Sequence, residues 1–469
     1  MTKRVASLRE AIEKSGLQDG MCISFHHHLR GRDYVLNMVL DEIADMGIRN
    51  LTVNASSLFD CHMPLAEHIR RGVVTGLETD YVSVGIGREL SSGILEKPVI
   101  FRTHGTRPSD IASGKCHIDV AFVAAPTSDE MGNCTGKLGP SACGSLGYAM
   151  SDAMYADQTV VITDHLVPYP LTQQSITEDY VDYVVKVDSI GNPNGIVSGT
   201  TRLPKDPIAL RIAGLAARVI EASGLLKEGF SFQTGAGGAS LAAASCLKEI
   251  MVKRKIQGSF ILGGITGYLV DMMECGCFRS ILDVQCFDLK AVESIRKNPQ
   301  HVEISAFHYA SPTARSTAAQ ALDAVVLGAT QIDLDFNVNV HTDSDGILMG
   351  GSGGHTDVAA GAKLAIIVAP LSRARIPLVT ERVDCISTPG ESVDVLVTQY
   401  GVAVNPRRRE LRERMAQAGL AVYEIGDLMK MGERFNGVPE ADTRRKERVI
   451  AEVRNRDGSM LDRIYQAVP

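Results

Sequence analysis

No run of about 18 uninterrupted apolar residues occurs in the sequence, so a membrane-spanning helix is not expected. The opening residues, "MTKRVASLREAIEKSGLQDG", are charged and lack the apolar centre of a secretory signal. Their Leu8, Ile12 and Leu17 mark one loose helix face. Positive charge is missing as a block: the net charge is −7, and Arg407 to Arg409 and Arg444 to Lys446 are the only tight basic clusters. That balance argues against nucleic acid or an acidic membrane surface as a partner. The ten cysteines show no framework spacing, and no second pair joins Cys275 and Cys277 to complete a zinc site. They read as reduced, mostly buried thiols, which places the chain in the cytoplasm.

What the sequence does hold is enough apolar material for large cores. Of its 469 residues 45% are hydrophobic and 22% charged, enough for two or three domains. Short Val- and Ile-rich runs alternate with helix-like segments: "VAFVAA" from 120, "TVVITD" from 159, "VDYVVKV" from 181, "AVVLGA" from 324, "LAIIVAP" from 364 and "VDVLVT" from 393. Such runs suit strands buried on both faces, and the fold class is α/β. The runs also repeat. "IDVAFVAAPT" matches "LDAVVLGATQ", "DQTVVITDHLVPYP" matches "AKLAIIVAPLSRARIP", and "VDYVVKVDSIGNP" matches "VDVLVTQYGVAVNP", in the same order and 204 to 212 residues apart. Duplicated α/β halves are expected, 1–204 and 205–469, joined near "SGTTRLPKDP". The second half opens on a helix ending at Gly224.

The same alignment sets "GMCISFHHHLR" of the first half against "EGFSFQTGAGG" of the second. Segments just after a strand lie at its carboxyl end, where α/β proteins bind ligands, so His26, His27 and His28 are expected on the rim of a crevice. One structural imidazole with two exposed neighbours is the bland alternative. A metal site is weak, because adjacent residues on an extended chain point to opposite faces and no HExxH accompanies them. An anion clamp is better supported, since Arg30 and Arg32 add permanent charge and imidazoles gain protons beside a polyanion. Two glycine-rich loops, "TGAGGAS" from 234 and "GGSGGHTD" from 350, offer backbone amides to phosphates or oxyanions. Neither completes GxGxxG, and "GNCTGKL" from 132 is one residue short of a P-loop, which disfavours nicotinamide and nucleotide-triphosphate chemistry. "HTDSDG" from 341 reads as a turn. Ser305, His308 and Tyr309 are divided between crevice lining and structure, and Cys143 has no activating partner.

The paired halves, "GGSGGHTDVAAGAK" and "VDVLVTQYGVAVNPRRRELRERM" resemble the coenzyme A transferases. With "DGMCISFHHHLRGRDYVLNMVLDEI", "GFSFQTGAGGASLA", "HVEISAFHYA" and "FNVNVHTDSDGILMGGSGGHTD" added, the chain is most similar to the citrate lyase α-subunit family. The resemblance implies two homologous doubly wound coenzyme A transferase-type domains. It implies exchange of acetate for citrate on an acyl carrier protein bearing a phosphoribosyl-dephospho-CoA arm, with coenzyme A as a surrogate co-substrate. It also implies a β subunit and a γ carrier protein as partners, and a homo-oligomer. Where many coenzyme A transferases carry a nucleophilic glutamate, this chain has Thr266 and Gly267, and Asp271 and Glu274 belong to the next motif. That departure fits a route in which citrate's own carboxylate attacks the thioester and forms a mixed anhydride. Citrate is then assigned to His26, His27, His28 and Arg30, and the oxyanion to amides of Gly351, Ser352, Gly353 and Gly354. The carrier arm falls to Gly235, Ala236, Gly237, Gly238, Gly350, His355 and Asp357. No metal is implied. A general acyl-CoA:carboxylate transferase, a citramalate-specific homologue and a non-catalytic metabolite sensor are the alternatives.

Overall fold

The computed structural model describes residues 2–197, 204–235, 238–373, 376–438 and 445–467. The first half forms strands β1 (Arg4–Val5), β2 (Cys22–Phe25), β3 (Leu51–Ala55), β4 (Val74–Thr79), β5 (Val99–Phe101), β6 (Val120–Ala124), β7 (Gln158–Thr163) and β8 (Tyr183–Lys186). The second half forms β9 (Phe232–Thr234), β10 (Gly258–Ile265), β11 (Phe278–Cys286), β12 (His301–Glu303), β13 (Ala324–Gly328), β14 (Leu364–Val368) and β15 (Val395–Val397). The short strands β16 (Val402–Val404) and β17 (Val422–Tyr423) follow. The expected runs all form strands, and every residue of β6 and β14 is buried, whereas β8, near the sheet's end, exposes Lys186.

Strand order makes the repeat visible. The first sheet runs β8-β7-β6-β2-β3-β4-β5 and the second β15-β14-β13-β9-β10-β11-β12, and all of these neighbours pair in parallel. In each, the order reverses where the central strand β2 or β9 meets its neighbours, the point at which doubly wound sheets open a crevice at their carboxyl ends.

The expected join falls largely on residues 198–203, outside the described residues. Just beyond it, helix Pro207–Ser223 starts as the sequence suggests. Asp206 accepts a hydrogen bond from the Ala209 amide at 2.9 Å, Pro207 takes the first turn, and Gly224 ends it at φ 80°. Its Ile212, Ala216, Val219 and Ile220 are fully buried, one apolar stripe at helical spacing.

One departure concerns the end of the chain. Strands β18 (Arg445–Arg454) and β19 (Met460–Ala467) form a hairpin that extends the first sheet, with Ala451 opposite Val99 of β5. Not all of 205–469 therefore packs with the second sheet. No described helix is long and apolar enough to cross a membrane.

The halves meet through loops at their carboxyl ends. Ser145 donates to the Asp283 carbonyl at 3.1 Å, and Glu303 holds the Leu146 amide at 2.7 Å, Ser175 at 2.9 Å and Lys137 at 2.7 Å. Leu348 donates its amide to Ser91 Oγ at 2.9 Å. Because these contacts join residues more than a hundred positions apart, they turn two open sheet edges into one closed site.

Candidate active site

The histidine triplet leaves β2 directly into this junction. It is buried, not on a rim: His26 is 6% exposed, His27 3% and His28 0%. The Ala124 amide, at the end of β6, donates to His26 Nε2 at 2.9 Å. In the neutral ring the proton is then on Nδ1, which lies 2.5 Å from His28 Nδ1. The His28 ring also bonds the Val284 carbonyl of the second half, and the Tyr148 amide approaches its Nε2 at 3.4 Å. His27 Nδ1 is 2.7 Å from Ser56 Oγ, and its carbonyl accepts from Gln285 at 2.9 Å. Burial lowers the pKa of His26 to about 4 and holds His27 and His28 well below the ordinary imidazole value. The triplet is therefore a neutral, hydrogen-bonded wall, and its burial opposes the protonated clamp expected from the sequence. Desolvation outweighs any gain from charge.

Permanent charge comes from Arg30 instead. Its guanidinium lies 5.2 Å over the Phe59 ring and 4.5 Å over Phe287. Nε is buried without a hydrogen-bond partner, and no carboxylate pairs with the side chain among the described residues. The buried arginines differ from half-buried Arg30. Arg102 pairs with Glu78 and Asp110, and Arg107 holds Asp152 through two 2.7 Å bonds. Arg30 also sits at φ 49°, a left-handed backbone that a bulky residue adopts at a cost. Arg32, the second expected cation, is exposed.

The loop "GGSGG" faces the triplet from the second half. An added Cβ on Gly351 would lie 2.3 Å from the Asp80 carbonyl, and one on Gly354 would lie 2.4 Å from Tyr309 Oη. Only glycine permits so close an approach. The His104 amide donates to the Gly353 carbonyl at 2.8 Å, and the Gly353 amide donates to the Asp80 carbonyl at 3.1 Å. Thus one loop is laced to the ends of both β4 and β5. Ser352 is buried and its carbonyl takes the His355 amide at 2.7 Å. Gly350 accepts from the Val82 amide at 3.4 Å.

Of the residues assigned to a carrier arm, two prove to be interior struts. His355 spends both ring nitrogens on Thr388 Oγ1 at 2.8 Å and the Gly328 carbonyl at 2.9 Å, and burial lowers its pKa to about 4. Asp357 is wholly buried and accepts from Thr103 at 2.9 Å, the Gly105 amide at 2.9 Å and Arg456 of the terminal hairpin at 3.1 Å. Gly235 donates its amide to Val326 at 2.8 Å, beside His355 at the end of β13, and Gly238 begins helix Gly238–Arg254. Ala236 and Gly237 lie outside the described residues.

Several site residues carried no signal in the sequence. His104 and Asp80 follow β5 and β4, and the His104 Nδ1 lies 2.9 Å from Asp80 Oδ2. Tyr148 puts its ring 4.5 Å from His104 and 4.7 Å from His27. Phe59 and Tyr81, with rings 5.7 Å apart, bridge Arg30 to the glycine loop. Position after a repeated strand was the one available hint.

The family glutamate remains missing in three dimensions. Thr266 follows β10 as the N-cap of helix Gly267–Glu274, which carries Asp271 and Glu274 on its open face, both paired with Lys290. Ser305 caps helix Ala306–Ala310, Tyr309 is buried on Gln233 at 2.9 Å, and His308 faces solvent. "HTDSDG" is a turn closed by the Gly346 amide on Asp343. Burial pushes the Cys143 thiol up, which keeps it unreactive. Two trios of described residues come within metal-ligating range of one another, buried Asp283, Cys286 and His301 and surface His117, Asp119 and Asp157. In the first, His301 and Cys286 both hydrogen-bond Asp283 Oδ2, at 2.9 and 3.0 Å.

A neutral imidazole wall, one guanidinium without a carboxylate partner among the described residues and a glycine loop thus share the junction between the halves. The family model for "Citrate lyase, alpha subunit" matches residues 1–467. The chain is 50% identical over 464 residues to the citrate lyase alpha chain of Escherichia coli (strain K12), covering 99% of this chain and 91% of that one. It is also 50% identical over 460 residues to that of Klebsiella pneumoniae, covering 98% and 90%. A crystal structure from Streptococcus mutans, described as an alpha subunit of citrate lyase in complex with citrate, superposes with a TM-score of 0.98 at 47% identity, covering 100% and 92%. A Pseudomonas malonate decarboxylase hetero-tetramer shares the fold at 18% identity and a TM-score of 0.68, covering 93% and 87%. The chain belongs to the citrate lyase alpha-subunit family.

Proposed function

We propose that this chain exchanges acetate for citrate on an acetyl thioester carried by an acyl carrier protein, with citrate supplying the nucleophile. The observation that carries this reading is Arg30, a half-buried guanidinium whose Nε is unpartnered and which has no carboxylate partner among the described residues, set against a neutral hydrogen-bonding wall. A polycarboxylate satisfies it. His26, His27 and His28 shape the seat and Arg30 supplies its charge. The two half-buried glutamates nearby, Glu78 and Glu303, are engaged by Arg102 and Lys137, so neither stands free as a nucleophile. That supports direct attack by a citrate carboxylate and a mixed anhydride. The Gly350 and Gly353 amides are spent on the His341 and Asp80 carbonyls, so the successive oxyanions fall to the amides of Gly351, Ser352 and Gly354, where one donor is worth about 3–4 kcal/mol.

The carrier arm is given a route by a mainly apolar cleft of about 160 Å³ beside the glycine loop, lined by Ala329, Thr330, Met349, Ala369, Pro370 and Leu378. A β subunit that cleaves the citryl product, a γ carrier, self-association and a cytoplasmic setting complete the proposal. So does a division of the chain at 204/205 with the terminal hairpin returned to the first half.

The test is an exchange assay with acetylated carrier, or acetyl-CoA as surrogate, and citrate, citramalate and monocarboxylates in competition. Citrate is expected to win, and borohydride added with acyl-CoA is expected to trap no glutamyl adduct. A trapped adduct would replace this reading with a general acyl-CoA:carboxylate transferase.

A further inference from the structure

The Asp80–His104 pair has no role in the reading above, yet it lies where the site's parts converge. His104 follows β5 and Asp80 follows β4, and both are tied through backbone bonds to Gly353. Asp80 is 0% exposed, and its Oδ2 fixes the His104 Nδ1 at 2.9 Å, so the neutral ring carries its proton on Nδ1. The other nitrogen, Nε2, points at the glycine loop: an added Cβ on Gly353 would sit 3.1 Å from it. The His104 side chain keeps 13% of its surface open, more than any member of the triplet. A buried carboxylate orienting an imidazole toward a reacting atom is the arrangement of a proton carrier.

We infer that His104, oriented by Asp80, moves the proton that the thioester sulfur gains and loses during exchange. The inference rests on the acyl-exchange reading. In the first step a citrate carboxylate oxygen bonds to the acetyl carbonyl carbon and the carbon–sulfur bond breaks. The sulfur takes the Nε2 proton of the His104 imidazolium, leaving thiol and neutral imidazole. In the second step Nε2 takes that proton back, the thiolate bonds to the citryl carbonyl carbon, and the anhydride carbon–oxygen bond breaks to release acetate. No atom or charge is left over. Asp80 is the positioning residue and stabilises the imidazolium.

Groups facing the pair are His27 and Tyr148 across the ring, Asp357 behind the glycine loop, and Arg102 and Arg107, which act on Asp80. Arg102 and Arg107 are salt-bridged arginines, which hold fixed charge beside Asp80.

The experiment uses the full chain with His104→Gln and Asp80→Asn, citrate as acceptor, and two donors: acetyl-CoA and an acetyl thioester of an acidic aryl thiol. His104→Gln is expected to lower kcat with acetyl-CoA about 100-fold while citrate KM stays within about threefold. With the aryl thioester, whose thiolate leaves unprotonated, the loss is expected to shrink below about tenfold. Asp80→Asn is expected to shift the limb of the kcat–pH profile that follows the imidazolium to lower pH. Equal losses with both donors, or pH profiles like the wild type's, would overturn the inference. Absence of citrate-dependent exchange in the wild type would instead overturn the acyl-exchange reading. Citrate-induced thermal stabilisation, measured on each variant, separates a lost fold from lost proton transfer.

Discussion

Replacing Arg30 by methionine keeps most of the side-chain volume and removes the charge, and it should affect the free and bound protein in opposite directions. In the free chain the guanidinium is stabilised by the Phe59 and Phe287 rings at 5.2 and 4.5 Å. Two such contacts are worth roughly 1–4 kcal/mol together. Against this stands the partial desolvation of a half-buried cation whose Nε has no partner, about 1–3 kcal/mol. The unliganded Arg30→Met chain is therefore expected to be as stable as the wild type, or more stable by about 1–2 kcal/mol. Citrate loses a charge-assisted, two-pronged contact, about 3 kcal/mol, so its Kd weakens on the order of 100-fold. Urea unfolding with and without citrate reads both quantities. At a citrate concentration about 100 times the wild-type Kd, the wild type gains about 2.7 kcal/mol and the variant only about 0.4. A variant that unfolds more than about 2 kcal/mol too easily without citrate, yet binds citrate normally, would show that Arg30 is structural.

Two further outcomes are expected. Gly351→Ala would set a methyl 2.3 Å from the Asp80 carbonyl and 2.7 Å from Tyr81 Cα, both backbone atoms that cannot swing aside. A stability loss of about 1–3 kcal/mol in urea unfolding, with slower exchange, is the expected result; wild-type behaviour would show that the loop does not pack against the first half. The second outcome concerns His62, whose Nε2 is 3.3 Å from Asp33 Oδ2. Burial works against its charge, but the Asp33 and Cys61 contacts outweigh it and raise the pKa to about 9. An unfolded imidazole titrates near ~6.5, so the stabilisation is complete below that pH and is lost as pH rises through about 9. The wild type is expected to lose on the order of 3 kcal/mol across that window relative to His62→Gln. Parallel curves for the two proteins would contradict the assignment.

Much of the architecture can be read from the sequence because its determinants are local. "VAFVAA" and "LAIIVAP" are too uniformly apolar for a solvent-facing strand, and both became central strands. Pro207 and Gly224 bound a helix through their own backbone preferences. The order of the repeated runs became two sheets of one strand order. The terminal hairpin escaped this reading, because strand pairing between residues 451 and 99 depends on edges meeting across the whole fold.

The site divides the same way. Residue type and place after a strand were enough to bring "HHHLR" and "GGSGG" to the same junction, since covalent order and the α/β plan fix which loops share an edge. The state of those residues was not so determined. Whether an imidazole is charged depends on how much water its neighbours exclude, and here burial where distant segments meet lowers the pKa of all three histidines. Whether an arginine is spent or free depends on the carboxylates that packing brings to it: Arg107 found Asp152, and Arg30 found only aromatic faces. His104 and Asp80 lie 24 positions apart in adjacent strand ends, and only the sheet places them 2.9 Å from each other. The sequence by itself determined the duplicated α/β plan and the loops that meet. Tertiary structure decided which groups are charged, paired or open, because desolvation and partner choice arise between segments remote in the chain.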